Sequence, residues 1–246
     1  YLSDTLAEKY RGSAKPHDRL TASPLRPERI AHVDLLLVTH KHSDHFDPGT
    51  VPAMLRSSPR TRLVLPRALM DHARSMGLDD ARIVCVDADQ PIKLNGVRIR
   101  PIPAAHERLD RDAQGNYLCL GYIIEIAQTR LYHSGDTIPY PGLVERLAAE
   151  PVDVAFLPIN GRDAGRHALG TPGNCTIEES LCLAALAGVR TLVPHHYDMF
   201  AFNTASIAAF RSRAAELFPD LLIRVLQPGE QAILPGRKSD NGCSES

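Results

Sequence analysis

The stretch "LLLVTHKHSDHFDP", Leu35 to Pro48, decides the reading of this chain. It closes an almost wholly apolar run, Val33 to Thr39, and then places three histidines and an aspartate within six residues. A short apolar run bounded by polar residues reads as a buried strand. His40, His42, Asp44 and His45 form H-x-H-x-D-H on the loop that leaves it. In extended backbone, side chains two residues apart point the same way, so His40 and His42 can grip one metal ion from one side. Asp44 and His45 follow where the chain turns and can face a second. The chain has 11 histidines in 246 residues, and composition alone would place this pattern in about 0.002 of such chains. The bland alternative is a solvated histidine-rich loop. Three imidazoles beside a carboxylate at a strand end are costly to pack without a ligand, which disfavours it.

A two-metal site needs further donors, and other apolar runs end in them. His106 in "PIPAAHE" follows the strand Val97 to Ile102, Asp136 in "LYHSGDT" ends another, and His196 in "VPHHYDMF" follows Thr191 to Val193. A carboxylate can bridge two ions where an imidazole cannot, which singles out Asp136. Any one of these residues alone reads as an ordinary structural histidine or a Gly-Asp turn; the four strand ends together reverse that reading.

Around these points the chain alternates. Arg62 to Leu65, Ile83 to Val86 and Val152 to Leu157 read as strands, whereas Pro48 to Arg56, Arg67 to Met76 and Gly142 to Ala149 carry the apolar spacing of amphipathic helices. Asn95-Gly96 separates "PIKL" from "VRIRPIP" as a hairpin turn does, and "YLCLGYIIEI" and "RLYHS" flank a turn near Gln128. The last third repeats the alternation: helix Ile177 to Ala187, strand Thr191 to Val193, helix Ala205 to Leu217, strand Leu222 to Leu226. Residues 1 to 30 are polar and proline-punctuated, with room for one short helix. The expected organisation is one α/β domain over residues 1–246, its sheets facing each other and helices outside, closed by a polar tail over 236–246.

Composition narrows the function. Lys+Arg 28 against Asp+Glu 29 gives a formal charge of -1, so no global field draws the chain to nucleic acid or an anionic membrane. Five cysteines without a C-x-x-C pair argue against a disulfide framework and for a reducing compartment, and no apolar run approaches a membrane span. A cytoplasmic location is expected, and self-association is left open.

H-x-H-x-D-H, then a lone His, then "SGDT", then a late His after a strand, resembles the metallo-β-lactamase-fold hydrolases. More narrowly, "YLSD", "AAHE", "LGY", "LYHSGDT", "DVAFLPINGRD", "GN" and "PHHYDMF" resemble the L-ascorbate-6-phosphate lactonase branch and its relatives, from Tyr1 to about Gln227. The resemblance implies an αβ/βα four-layer sandwich with metals at the edge shared by two sheets. It implies that His40, His42 and His106 hold one ion, Asp44, His45 and His196 the other, and that Asp136 bridges. His196 rather than His195 is the implied ligand, with His195 behind it. Relatives usually carry strands before the segment matching "YLSD", so the fold is expected to lack its first N-terminal strands.

The expected chemistry follows from charge. Two divalent ions less two carboxylates leave a local cationic centre, which attracts anions, lowers the pKa of bound water towards ~7 and polarises a scissile carbonyl or phosphoryl. Asp44 and His196 are expected to serve catalysis as well as ligation. The polar, glycine-rich segment "NGRDAGRHALGTPGN", residues 160–174, supplies expected substrate contacts in Asn160, Arg162 and Arg166, with Tyr197 beside His196. The donors suit zinc or manganese, with iron also compatible. The expected function is hydrolysis of a small anionic ester or lactone, such as L-ascorbate 6-phosphate or a related sugar-acid lactone. Two alternatives stand beside it: a phosphodiesterase or nuclease of the same fold, and a non-catalytic metal-binding relative. No H-E-x-x-H is present, which disfavours a zincin protease.

Overall fold

The structure is a computed structural model that describes residues 1–233; the tail over 236–246 lies outside the described residues. Two sheets form its centre. The smaller is parallel, in the order β1 (Leu35–Leu37), β2 (Arg62–Pro66), β3 (Ile83–Val86). The larger has seven strands in the order β10-β9-β8-β7-β6-β5-β4: β4 is Ile92–Leu94, β5 Val97–Pro103, β6 Leu120–Ile126 and β7 Thr129–His133. Its other members are β8 (Val154–Pro158), β9 (Thr191–His195) and β10 (Leu222–Ile223). Strands β4 to β7 pair antiparallel and β7 to β10 parallel.

Side-chain alternation sorts the layers. In β2, Leu63 and Leu65 face Val51, Leu55, Leu69 and Ala73 of α2 (Thr50–Ser57) and the turn leading through α3 (Met70–Ser75). Val64 between them points the other way and meets Ile99, Leu120 and Tyr122 of the larger sheet. Successive strand residues point to opposite faces, so one strand serves two cores. In β6, Ile123 faces the third core, where Leu143 and Leu147 of α4 (Leu143–Ala148), Leu181 and Ala184 of α6 (Ile177–Leu186) and Phe210 of α7 (Ile207–Leu217) cover the outer face. The order helix, sheet, sheet, helix is the αβ/βα sandwich expected from the sequence. Tyr122 ties the sheets together by donating from its buried hydroxyl to the Val38 carbonyl at 2.6 Å.

Local sequence explains the helix starts. Thr176 opens α6 with a capping box: its hydroxyl accepts from the Glu179 backbone N–H, and the Glu179 carboxylate accepts from the Thr176 N–H. Ser206 caps α7 through its hydroxyl alone, which accepts from the Ala209 backbone N–H. One expectation changes. The segment 160–174, read as loop throughout, contains a short helix α5 (Ala164–Ala168), because Asp163 accepts from the Arg166 backbone N–H as its N-cap. The opening segment holds α1 (Thr5–Lys9), and no helix among the described residues is long and apolar enough to cross a membrane.

The strand directions place the site. β5 and β7 are both antiparallel to β6, and β7, β8 and β9 are parallel, so β5, β7, β8 and β9 all end at one edge of the larger sheet. The end of β1 reaches the same edge, since Leu120 N–H of β6 donates to the Thr39 carbonyl at 2.9 Å.

Candidate metal centre

The residues that leave these strand ends converge in two groups of four. His40, His42, His106 and Asp136 form one, and Asp44, His45, Asp136 and His196 the other; within each group the potential ligand atoms all lie within 4.8 Å of one another. Asp136 belongs to both. His40 is 1% exposed and Asp136 4%, so the centre sits at the bottom of the edge rather than on the surface.

The fit to metal ions can be judged from how these atoms are satisfied. His196 Nε2 lies 2.8 Å and His45 Nε2 3.0 Å from Asp136 Oδ1, yet that buried oxygen has no partner of hydrogen-bond geometry. His40 Nε2 and His42 Nδ1 approach to 3.0 Å, and the Nε2 atoms of His45 and His196 to 3.2 Å. Nitrogen lone pairs and an orphan carboxylate oxygen gathered in this way make a cage for cations, since burying them unpaired is costly.

Groups behind the histidines orient them. Thr39 Oγ1 lies 3.1 Å from His40 Nδ1 and 3.3 Å from His45 Nδ1, leaving both Nε2 atoms to face inward. His106 Nδ1 is 3.0 Å from the Gly173 carbonyl, which only accepts. The proton therefore sits on Nδ1, and Nε2 keeps its lone pair 3.5 Å from Asp136 Oδ2. Gly135 permits this packing: its φ is +61°, and a Cβ there would lie 2.8 Å from Thr39 Cβ. His196 itself has φ +61°, a strained conformation for a side-chain-bearing residue at a functional position.

The electrostatics of the metal-free chain are polarised. Burial, followed by the neighbouring His45, pushes His40 well below its ordinary pKa; burial and then His106 bring His42 down to about 4. His196 goes the other way: burial opposes its charge, but Asp136 outweighs burial and raises it to about 9. Asp136 is held well below the carboxylate range by His196 and His45 against the opposing effect of burial, and Asp44 is lowered by His45 against the same opposition. Asp136 thus favours a charged His196 in the metal-free chain, and a cation bound there would compete with that proton.

A model of a β-lactamase superfamily domain matches residues 2–197. The chain belongs to that family. Among curated relatives, the UPF0173 metal-dependent hydrolase of Pyrococcus horikoshii is 29% identical, the match covering 87% of this chain and 89% of the relative. That of Rubrobacter xylanophilus is 28% identical over 86% of this chain and 85% of the relative. Among solved structures, a metallo hydrolase from Ignicoccus hospitalis superposes with a TM-score of 0.64 at 25% identity, covering 80% of this chain and 77% of that one. The isothiocyanate hydrolase from Delia radicum gut bacteria has the same fold, with a TM-score of 0.69 at 22% identity over 91% and 86%. This superfamily membership and the His/Asp cluster make the protein a metal-dependent hydrolase; the lactonase branch is a narrower matter.

The expected substrate contacts fare differently from the ligands. Arg162 is bound to Glu179 through both guanidinium nitrogens, at 2.6 and 2.5 Å, and also donates to the Asn174 carbonyl. Arg166 is held by Asp163 at 2.6 Å and by the Asn160 carbonyl. Asn160 is buried and donates to Asn203 Oδ1 at 2.7 Å, and Tyr197 donates to the Leu226 carbonyl at 2.6 Å. These contacts hold the side chains to their own segments, although Asn160 Oδ1 is buried without a partner, and none of the four lines the cavity above the cluster. The reason is the nearby acceptors, Glu179 and Asp163, which a loop reading leaves out of account.

The cavity is walled by Gly170, Thr171 and Pro172 of the segment 160–174 and by Lys9, Tyr10, Lys15, His17, Lys41, Phe200 and Phe202, around a volume of about 310 Å³. The lysines and rings of that wall were not singled out from the sequence. His133 and His195 stack on each other at 5.0 Å behind the second group; burial is the main cause of the low pKa of both, about 4 for His133.

Proposed function

We propose that the protein hydrolyses a small anionic ester or lactone at a two-metal centre bridged by Asp136. The observation that carries this reading is the sharing of one buried carboxylate between two four-residue groups of potential ligands. His40, His42 and His106 would hold one ion, Asp44, His45 and His196 the other. The ions, when bound, polarise the scissile carbonyl and activate the attacking water.

The chain's own residues do the rest. Asp44 and Asp136 bring two negative charges to the centre and set how strongly it attracts an anion. Asp44 also lines the cavity, where a carboxylate oxygen can hold the attacking water by accepting its hydrogen bond. Its lowered pKa keeps it ionised for that task. Thr39 and the Gly173 carbonyl fix the histidine rings, so the site is preorganised by hydrogen bonds made before substrate arrives.

A cavity of about 310 Å³ suits a small molecule, and a sugar-acid lactone bearing a phosphate, of the class of L-ascorbate 6-phosphate, falls within it. The test is to strip the purified protein, reload it with zinc or manganese, and count ions by elemental analysis beside a panel of lactones, esters and phosphodiesters. Two ions per chain with turnover of lactones or esters is expected. One ion per chain, or turnover confined to phosphodiesters, would falsify the reading.

A further inference from the structure

The chain has 23 arginines and only five lysines, yet three of the five stand on one cavity wall above the ligand cluster. They come from three places: Lys9 ends α1, Lys15 lies in the segment after it, and Lys41 sits between the ligands His40 and His42. The arginines near the site are neutralised, Arg162 by Glu179 and Arg166 by Asp163. No lysine is in an ion pair among the described residues. Lys9 Nζ donates to Ser43 Oγ at 3.0 Å and Lys15 Nζ to the Gly170 carbonyl at 3.2 Å, both uncharged acceptors. Among the described residues, the only carboxylates lining the cavity are Asp44 and Asp136, and both belong to the ligand groups. Three ammonium groups sharing a concave wall without a counter-charge of their own make a local positive field, which an entering anion relieves. Lysine suits this role because its compact charge and three rotatable donors accept an oxyanion in many orientations.

The rest of that wall is aromatic. Tyr10 stacks on His17 at 4.0 Å, and the His17 ring meets Phe200 at 4.7 Å and Phe202 at 4.9 Å edge-on. Phe200 is nearly buried, whereas Tyr10, His17 and Phe202 keep part of their surface in the cavity. Rings locked stacked and edge-to-face against one another form a rigid aromatic wall, on which Phe202, parallel to Phe200, can pack a planar ring at low entropic cost.

We propose that this wall is the substrate-recognition subsite, taking a planar ring that carries an oxyanion, with Lys9, Lys15 and Lys41 on the oxyanion and the aromatic rings on its face. The proposal rests on the hydrolase reading of the centre beneath it and names the class of substrate that centre receives.

Calorimetric binding of phenylphosphonate and benzoate to the metal-loaded full chain tests it, with methylphosphonate and acetate as probes lacking the ring. The triple variant Lys9→Met, Lys15→Met, Lys41→Met is expected to bind phenylphosphonate at least about tenfold more weakly, as is expected for loss of charge-assisted contacts. Affinity for phenylphosphonate in the wild type should also fall as salt rises. Phe202→Leu should narrow the preference for phenylphosphonate over methylphosphonate. A greater lysine-dependent loss for phenylphosphonate than for benzoate identifies phosphate as the oxyanion, and the reverse identifies carboxylate. Lys93→Met, on exposed β4, controls for removing a charge elsewhere, and the three single variants stand in should the triple variant melt early.

Binding unchanged in the lysine variants would mean that the anion is held by the metal ions alone, and the subsite would be abandoned. Ester and lactone turnover is assayed in the same preparations. Lysine-dependent binding without any turnover overturns the hydrolase reading and leaves the subsite standing; turnover with lysine-independent binding does the opposite.

Discussion

Two polar regions of this protein look alike in sequence and are opposite in structure. The loop after β1, with its three histidines and Asp44, and the segment 160–174, with Arg162, Arg166 and His167, both gather charge-bearing residues at strand ends. In the first, donors from four strand ends converge on Asp136, whose Oδ1 lies 2.8 Å from His196 Nε2 and 3.0 Å from His45 Nε2, in two groups that share this carboxylate. In the second, each guanidinium closes on an acid of its own, Glu179 or Asp163. Convergence of imidazoles and carboxylates on one shared residue suits the first region to cations, whereas in the second the arginines brace Gly173 against His106 while Gly170, Thr171 and Pro172 line the cavity.

The sharpest way to break this contrast is to alter the shared carboxylate. Asp136→Asn keeps the shape but removes the bridging charge, and turnover by the metal-loaded protein should fall on the order of 10³-fold, with fewer ions per chain by elemental analysis. Retention of both ions and of turnover would erase the distinction drawn for the first region.

The metal-free chain should be sensitive to acid because of the same cluster. His42 and His133 are held at about 4 by burial first and by neighbouring His106 and His45 second, against 6.5 when unfolded. A depressed histidine contributes stability that is present above pH 6.5 and is lost as pH falls towards 4, on the order of 3 kcal/mol for each residue. His196, raised to about 9, works with the opposite sign: its contribution is full below 6.5 and is lost as pH rises through 9. Urea melts of metal-free protein should therefore show stability highest near pH 6.5, falling steeply towards pH 4 and more gently between 6.5 and 9. A flat profile from pH 7 to 4 would mean that these rings are not buried neutral.

Thr39→Val removes the hydroxyl that faces both His40 and His45 while preserving shape. Metal affinity should weaken about 10- to 100-fold, read by chelator competition, with little change in the fold. The smallest effect belongs to the brace. Arg162→Ala should cost about 1 kcal/mol or less in a denaturant melt, since its pair with Glu179 is more than a third exposed on the arginine side. KM for small anionic esters should stay within about twofold, because Arg162 does not line the cavity. A large rise in KM would return the arginine to the substrate.

Much of the architecture was legible because one-dimensional signals sufficed. Val64 between Leu63 and Leu65 alternates as a strand buried on both faces must, and Thr176 followed by Glu179 announces the start of α6. The ligand residues were legible for a related reason. Four of them fall within six residues, and the remainder end strands, where a sheet edge must gather whatever its strands carry.

The wall of lysines and rings above the cluster was not legible. Lys9, Lys15 and Lys41 share no spacing, and Phe200 and Phe202 lie far along the chain from Tyr10 and His17. The one faint signal was the rarity of lysine, three of five falling in the first 41 residues. Nor could the sequence reveal that Arg162 and Arg166 were already taken, because a guanidinium's partner is set by distance in space. The sequence by itself determined the strand and helix pattern and which histidines and aspartates would gather at one sheet edge, since short-range periodicity and dense clustering survive as adjacency along the chain. Only the tertiary structure decided which charges remain unneutralised and which rings share a wall, because burial and pairing arise when distant segments meet at one edge of the sheet.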